Sequence, residues 1–296
     1  MSNSPVDKGA VQILGNDVKI RTKMLQHCRF WRKLILNNDN PSNSNLSLRL
    51  ILLFIVASSF LPEITGIKHS NDHRNASLKY IYLTFDDGPL NGSENIDSVI
   101  LAEHLKISVF LIGEQAEESK RLGSYYKLYE QNPFVEVYNH TYTHANDKYA
   151  LFYSNPPYVL ADVQKNERLL NLRYKIVRLP GRNSWRINDR KKDDGMIGSA
   201  AADLLAKNGY KLYGWDIEWQ HHSRSGAPVQ SVDVMVKEIE SRLENGSTFT
   251  KNHIVVLIHD EMFQKKWEES ELKQLIDKLR THENYVFEHI RYYPDE

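Results

Sequence analysis

Short apolar segments alternate with longer segments of helical periodicity along most of the chain. The apolar segments are rich in β-branched and aromatic residues, which is typical of strands. They predict strands at Tyr80–Phe85, Ser108–Ile112, Val135–Tyr138, Ile176–Leu179, Tyr210–Gly214, Ile254–Ile258 and Tyr285–Phe287. The segments between them predict helices at Ser93–Leu105, Glu114–Tyr129, Tyr158–Leu170, Ser199–Lys207, Ser231–Leu243 and Ser270–Arg280.

This alternation predicts an α/β fold. Continuously apolar strands separated by helices indicate parallel pairing, with both faces of the sheet covered. The number of strands favours an incomplete (β/α) barrel over a complete eightfold one, and a doubly wound open sheet is the structural alternative. Ser93 and Ser231 are expected N-caps, and Asn208-Gly209 is an expected helix stop.

The N-terminal part of the chain has a different composition. Residues 1–66 are basic ahead of an apolar segment, Leu50 to Ala57, which is shorter than the about 20 residues that a membrane-spanning helix needs. Small residues follow, as in a secretory signal. We expect residues 1–66 to be a leader, 67–77 a linker and 78–296 the catalytic domain. An uncleaved anchor at residues 50–61, a buried helix, and translation starting at Met24 are the alternatives.

Composition limits the partners and the metal ligands. The chain of 296 residues has 38 basic and 38 acidic residues, a balance that argues against nucleic acid as a partner. The single cysteine, Cys28, precedes the apolar segment, so a mature domain after it would contain no thiol. A metal there must be held by histidine and carboxylate. The only expected membrane contact is through the N-terminal apolar segment.

Titratable residues cluster where the predicted strands end. The carboxyl ends of parallel strands meet at one mouth, so we expect these clusters to converge. They are Asp86-Asp87, His140 with His144, Arg178, Asp216 to Trp219, and His259-Asp260.

The chemistry of these residues indicates a metal hydrolase. Two histidines four residues apart, with a neighbouring carboxylate, form a common set for Zn²⁺, Fe²⁺ or another divalent metal. Of the two adjacent aspartates, one can bind the metal and the other can act as a base, with Arg178 holding it ionised. His259 is a candidate proton donor, which Glu218 would orient. Trp185, Trp215 and Trp219 are candidate faces for a sugar ring.

Five sequence motifs resemble those of the polysaccharide deacetylases, the NodB-homology or carbohydrate esterase family 4 domain. Thr84-Phe85-Asp86-Asp87-Gly88-Pro89 is similar to the family's TFDDGP signature, and the segment from His140 to His144 to its histidine motif. The other three are Arg178-Leu179-Pro180-Gly181, Asp216-Ile217-Glu218-Trp219 and Leu257-Ile258-His259. The resemblance covers about residues 78 to 260.

The resemblance implies a distorted (β/α)7 barrel that removes N-acetyl groups from N-acetylhexosamine polymers. It implies that Asp86 is the base, that Arg178 orients it and that His259 is the acid. It implies a metal, usually zinc, with cobalt, manganese, nickel or iron as alternatives. The implied metal ligands are Asp87, His140 and His144, and the implied substrate contacts are Trp219 and Leu257, with Pro180 in the arginine motif.

The fourth motif departs from the family pattern, because Glu218 stands where an aspartate is usual. The polar segment from Trp185 to Ser199 is a candidate substrate-recognition loop. We expect the protein to be exported to the periplasm or cell envelope. The expected substrate is an N-acetylated glycan, first peptidoglycan and second chitin-like oligomers. An O-acetyl esterase and a non-catalytic glycan-binding protein are the alternative functions.

Overall fold

The computed structural model describes residues 77–264 and 270–295. The predicted leader, its signal or anchor, and almost all of the predicted linker lie outside these residues. Within the described ranges there is no helix with both the length and the apolar character needed to cross a membrane.

The described residues form one curved sheet covered by helices. The strands are β1 Lys79–Gly88, β2 Ile107–Leu111, β3 Val135–Asn139, β4 Ile176–Val177, β5 Trp185–Ile187, β6 Arg190–Lys192, β7 Lys211–Leu212, β8 Ile217–Glu218, β9 His253–His259 and β10 Tyr285–Phe287. Their order is β6-β5-β7-β4-β3-β2-β1-β9-β8, and β10 pairs with the start of β1. The sheet is parallel except for the pairs of β5 with β6 and β7. It is a distorted, incomplete (β/α) barrel.

The helices cover the outer face of the sheet. They are α1 Ser93–Glu103, α2 Gly113–Glu118, α3 Lys120–Gln131, α4 Tyr149–Tyr153, α5 Pro156–Leu169, α6 Ser199–Lys207, α7 Val232–Asn245 and α8 Glu271–Leu279. Ser231 caps α7 as predicted, by accepting a hydrogen bond from the Val234 amide. Gly209 follows α6 in the left-handed region at a φ of 83°, which explains why that helix stops there.

Alternation along the strands divides the core into an outer and an inner part. On β1, Ile81, Leu83 and Phe85 pack outward in the cluster that contains α1, α7 and α8 residues. Tyr82 points the other way, into a largely aromatic cluster inside the barrel. Since side chains alternate along a strand, Asp86 points inward like Tyr82.

Every predicted strand lies within or overlaps an observed one, but several details of the prediction differ from the structure. The predicted helix at Glu114–Tyr129 is two helices, because Ser119 is extended and caps the second one. Ser93 is not an N-cap; Gly92 occupies that position, and the Ser93 hydroxyl accepts from the Leu90 amide and donates to Asp260. Strands β5, β6 and β8 and helix α4 were not predicted.

The polar segment after Trp185 was predicted to be a substrate-recognition loop. It instead contains the antiparallel pair β5 and β6, which extends the sheet beyond β7. Arg186 is buried there and bonds to Asp193 and Asp203. Much of the polarity of this segment therefore serves structure.

Candidate metal and catalytic centre

Strand register brings the predicted base and acid to one place. In the parallel pair of β1 and β9, Asp86 lies opposite His259. Arg178 directly follows β4, and its guanidinium lies above the Phe110 ring of β2, with 4.4 Å from Cζ to the ring centroid. The three polar side chains meet inside the barrel at the carboxyl ends of the strands, as predicted.

The Arg178 guanidinium fixes the Asp86 carboxylate. Arg178 Nη1 donates hydrogen bonds of 2.8 Å to Asp86 Oδ1 and to Thr84 Oγ1. The other guanidinium nitrogens donate to the main-chain carbonyls of Tyr213 and Gly214. Asp86 Oδ1 is thereby engaged, while Oδ2 faces His140 Nε2 at 3.8 Å.

Asp87, His140 and His144 offer ligand atoms that all lie within 4.8 Å of one another. Asp87 Oδ1 is 3.2 Å from His140 Nε2 and 3.1 Å from His144 Nε2. This oxygen is buried and completes no hydrogen bond in the described structure. A half-buried carboxylate facing two imidazole nitrogens suits a divalent cation, so the residues fit the predicted metal.

Strained backbone and buried polar side chains hold the two histidines in place. Asp87, Thr141 and His144 all have a positive φ, between 48° and 69°, which is uncommon outside glycine. His140 Nδ1 lies 2.9 Å from the Arg178 carbonyl oxygen. Because a carbonyl only accepts, Nδ1 carries the hydrogen, and the Nε2 lone pair of a neutral ring faces the cation site.

Helix α5 supports the loop between the two histidines. Asp162 Oδ2 accepts hydrogen bonds from the Tyr142 and Thr143 amides at 2.8 and 3.1 Å. Asn166 Nδ2 donates to Asn139 Oδ1 at 3.0 Å, and that oxygen also accepts from the Thr141 amide.

The electrostatics of the site favour an ionised Asp87. Burial raises the pKa of the Asp87 carboxyl, but its close contacts and charge interactions with His140 and His144 outweigh burial and hold the pKa well below its ordinary value. Burial lowers the pKa of the His144 imidazole, but the close contact and charge interaction with Asp87 outweigh burial, so that this pKa is raised.

His259 faces the centre, but not with the partner that the sequence predicts. Its Nε2 lies 4.0 Å from Asp87 Oδ2. In the described part of the chain, the Glu218 carboxylate makes no hydrogen bond or ion pair with His259. The other carboxylate of this motif, Asp216, accepts hydrogen bonds from the Phe249 and Val255 amides at 2.7 and 2.8 Å. The ring beside His259 belongs to His221.

Trp185 and Trp219 are fully buried, so neither offers a face to a sugar ring in this structure. Trp185 stacks on Phe249 with centroids 4.3 Å apart, which places it in the inner aromatic core. Trp219 packs against Phe263 in the outer core. The prediction of substrate contact for these two tryptophans is therefore corrected.

The remaining predicted contact residues lie close to the centre. Leu257 is almost fully buried on β9, two residues before His259. Pro180 is also buried, and its carbonyl accepts a hydrogen bond from Tyr153. Their roles toward a substrate stay predictions.

Two groups of supporting residues were missed from the sequence. Asp162 and Asn166 lie on the buried stripe of α5 together with Val159 and Val163, and polar residues in an apolar stripe are a signal that could have found them. His221 and Glu261 carry no comparable signal, because they lie outside regular periodic segments.

Comparisons with known proteins agree with this geometry. Residues 73–188 match the model of the family described as polysaccharide deacetylase. A chitin disaccharide deacetylase of Vibrio alginolyticus is 26% identical, with 47% of this chain and 47% of that protein covered. The chain thus spans about half the length of this curated relative.

Solved structures share the fold. A CE4 esterase from Streptococcus mutans is 21% identical, with a TM-score of 0.53 over 72% of this chain and 86% of that chain. The catalytic domain of a peptidoglycan N-acetylglucosamine deacetylase from Eubacterium rectale is also 21% identical, with a TM-score of 0.52 over 73% of this chain and 90% of that chain. Residues 73–188 therefore match a polysaccharide deacetylase domain, and the described residues share the distorted (β/α) barrel fold of the CE4 esterases.

Proposed function

We propose that this protein is a metal-dependent hydrolase that removes N-acetyl groups from N-acetylhexosamine polymers and releases acetate. The observation that carries the proposal is the different environment of two adjacent aspartates. Asp86 is held by Arg178 at 2.8 Å, whereas Asp87 faces the His140 and His144 nitrogens at 3.2 and 3.1 Å. The Asp86 carboxylate is placed to take a proton, and the Asp87 carboxylate is placed to bind a cation.

Asp87, His140 and His144 would hold the cation, most simply Zn²⁺, since two imidazoles and one carboxylate suit it. A divalent cation there supplies Lewis-acid chemistry that polarises a carbonyl group and makes water more acidic. Cobalt, manganese, nickel and iron accept the same ligand set.

Asp86 is the proposed base. Its Oδ1 is occupied by Arg178, so Oδ2 is the oxygen that takes a proton from the attacking water. The Arg178 hydrogen bonds to Thr84 and to two main-chain carbonyls keep the guanidinium, and with it Asp86, in a single orientation.

His259 is the proposed acid. Its Nε2 reaches the cation site from β9, close to Asp87. A proton on Nε2 would pass to the departing amine nitrogen as the carbon–nitrogen bond breaks. The register of β1 with β9, which sets Asp86 opposite His259, supports this division of roles.

We propose peptidoglycan N-acetylglucosamine as the first substrate and chitooligosaccharides as the second. The name of the curated relative supports a chitin-derived substrate, and the name of one structural relative supports peptidoglycan. We also propose export to the periplasm or cell envelope, where such glycans lie, because residues 1–66 have the composition of a leader.

The decisive experiment measures acetate released by the full chain from peptidoglycan, chitooligosaccharides and O-acetylated xylan, with and without a chelator. Chelator-sensitive acetate from the first or second glycan supports the proposal and ranks the substrates. Acetate from xylan alone would establish an O-acetyl esterase instead. Zinc bound without acetate from any glycan would favour a glycan-binding protein.

A further inference from the structure

His221 and His259 lie side by side although they belong to different segments. Their ring centroids are 4.6 Å apart and their planes meet at 54°. His259 ends β9, whereas His221 lies in the segment after β8 and forms an isolated bridge with Pro228. Both side chains are largely buried.

Glu261 fixes the orientation of His221. Glu261 Oε1 lies 2.5 Å from His221 Nε2. Since an ionised carboxylate only accepts hydrogen bonds, Nε2 carries the hydrogen, and a neutral His221 ring presents Nδ1 as an acceptor. His221 Nδ1 is buried and has no hydrogen-bond partner in the described structure.

The His259 ring also has one nitrogen without a hydrogen-bond partner among the described residues. Its Nε2 points to the metal side, 4.0 Å from Asp87 Oδ2, while its Nδ1 is buried without a partner among the described residues. The Met262 amide, in the turn that follows, faces the His259 side chain as its capping donor, but this contact falls short of a full hydrogen bond to Nδ1. Glu218, the partner predicted from the sequence, makes no hydrogen bond to this nitrogen.

The backbone holds the two segments together. Gly226 has a φ of 65°, and a Cβ atom at this position would lie 2.2 Å from the Glu261 carbonyl oxygen. Only glycine allows the segment from His221 to Pro228 to approach Glu261 this closely. Two features of the fold therefore hold His221 next to Glu261: the contact between their side chains and the close backbone approach at Gly226.

We propose that His221 is a positioning residue for His259, and that Glu261 holds His221 in the orientation this requires. In the reacting protein, His259 Nδ1–H donates to His221 Nδ1, which leaves His259 Nε2–H directed at the departing amine. Forming this hydrogen bond requires a change of side-chain torsion that turns His259 Nδ1 from the Met262 amide toward the adjacent His221 ring. This series of contacts, from Glu261 through His221 to His259, replaces the predicted contact between Glu218 and His259. The inference rests on the proposed function.

The proton balance is simple. As the carbon–nitrogen bond breaks, its electron pair stays on nitrogen, which takes the proton from His259 Nε2. His259 becomes neutral and keeps the hydrogen on Nδ1, shared with His221. No oxidant, reductant or further reactant is needed.

The test uses the zinc-loaded full chain and two readouts. The first is the ring ¹⁵N and ¹H NMR signals of His259, assigned with His259→Ala. We expect His221→Ala and Glu261→Ala to shift these signals, and Glu261→Gln, which keeps an acceptor, to shift them less. The exposed neighbour His222 gives the matched control His222→Ala, which should leave them unchanged.

The second readout is steady-state acetate release. We expect His221→Ala and Glu261→Ala to lower kcat about tenfold or more, with KM and bound zinc unchanged, and Glu261→Gln to retain most of kcat. Unchanged His259 signals in His221→Ala, or unchanged kcat, would overturn the inference. If the wild-type chain releases no acetate, the proposed function fails, and the His259 signals still decide whether His221 positions that ring.

Discussion

Arg178 Nη1 donates a hydrogen bond of 2.8 Å to Asp86 Oδ1, and both side chains are almost completely buried. The main-chain carbonyl of Arg178 also lies 2.9 Å from His140 Nδ1. One residue therefore sets the direction of the proposed base through its side chain and of a proposed metal ligand through its backbone. Substitution of the side chain should affect the base more than the metal.

Arg178→Lys should abolish most turnover while bound zinc stays near the wild-type amount. Lysine cannot reproduce the hydrogen bonds that the guanidinium donates to Asp86, Thr84 and two carbonyls, so Asp86 loses its fixed orientation.

Arg178→Ala should in addition lower the free energy of unfolding by about 3–5 kcal/mol, because it leaves a buried carboxylate unpaired. The checks are acetate release, zinc content and urea unfolding. Arg182→Lys, on the nearby partly exposed loop, is the control. Full turnover in Arg178→Lys would contradict the orienting role.

Asp86→Asn and Asp87→Asn should fail for different reasons although the two residues are adjacent. Asparagine at position 86 cannot take a proton from water but keeps the side-chain shape, so turnover should fall by a factor of about 100 or more with zinc retained. Asparagine at position 87 removes the charged ligand, so zinc affinity should fall. Zinc titration by calorimetry separates the two cases. Equal zinc affinity in both variants would show that Asp87 is not a ligand.

Asp162→Ala should weaken metal binding although Asp162 touches no ligand atom. Its carboxylate holds the Tyr142 and Thr143 amides, which lie between the two histidine ligands. Loss of such support typically costs about tenfold to hundredfold in metal affinity or activity. Asp162→Asn keeps an oxygen acceptor and is the matched control, with nearly wild-type zinc affinity expected. If both variants bind zinc like the wild type, the loop is held by other contacts.

The residues that sequence predicts well are those whose positions follow from alternation. Asp86, Arg178 and His259 each lie at the end of an apolar strand segment, and parallel strands must deliver such residues to the same mouth. Their convergence needs no knowledge of long-range packing. The proposed ligand pair His140 and His144 is equally predictable, because both histidines lie within one short loop.

The residues that sequence predicts poorly depend on contacts between distant segments. Trp185 lies in a polar segment, so the sequence predicts contact with substrate, but it packs on Phe249 in the inner core. The sequence predicts Glu218 as the partner of His259, because Glu218 shares a motif with Trp219, whereas the ring that packs on His259 is that of His221. Neither contact leaves a periodic signal in the sequence.

Asp260 follows His259 and is fully buried beneath the turn at Gly88. Its Oδ2 accepts hydrogen bonds from the Ser93 hydroxyl at 2.5 Å and the Tyr129 hydroxyl at 2.9 Å. Burial raises the pKa of the Asp260 carboxyl to about 7, although these two hydrogen bonds lower it. The folded protein thus keeps this carboxyl protonated at a pH where the unfolded chain, with a pKa of about 3.9, has released the proton.

The sign of the effect on stability follows from this difference. Between about pH 4 and about pH 7 the folded state binds more protons at Asp260 than the unfolded state, so the free energy of unfolding falls as the pH rises. The loss from this group reaches at most about 4 kcal/mol above pH 7.

Asp260→Asn should remove this part of the pH dependence, because the amide stays neutral and its oxygen can still accept from Ser93 and Tyr129. We expect the loss of stability between about pH 5 and about pH 8 to be smaller in Asp260→Asn than in the wild type, in urea unfolding with a chelator present. Asp277→Asn makes the same change of charge at an exposed position and should keep the wild-type slope. Equal slopes in all three proteins would mean that Asp260 ionises in the folded state near the pKa of the unfolded chain.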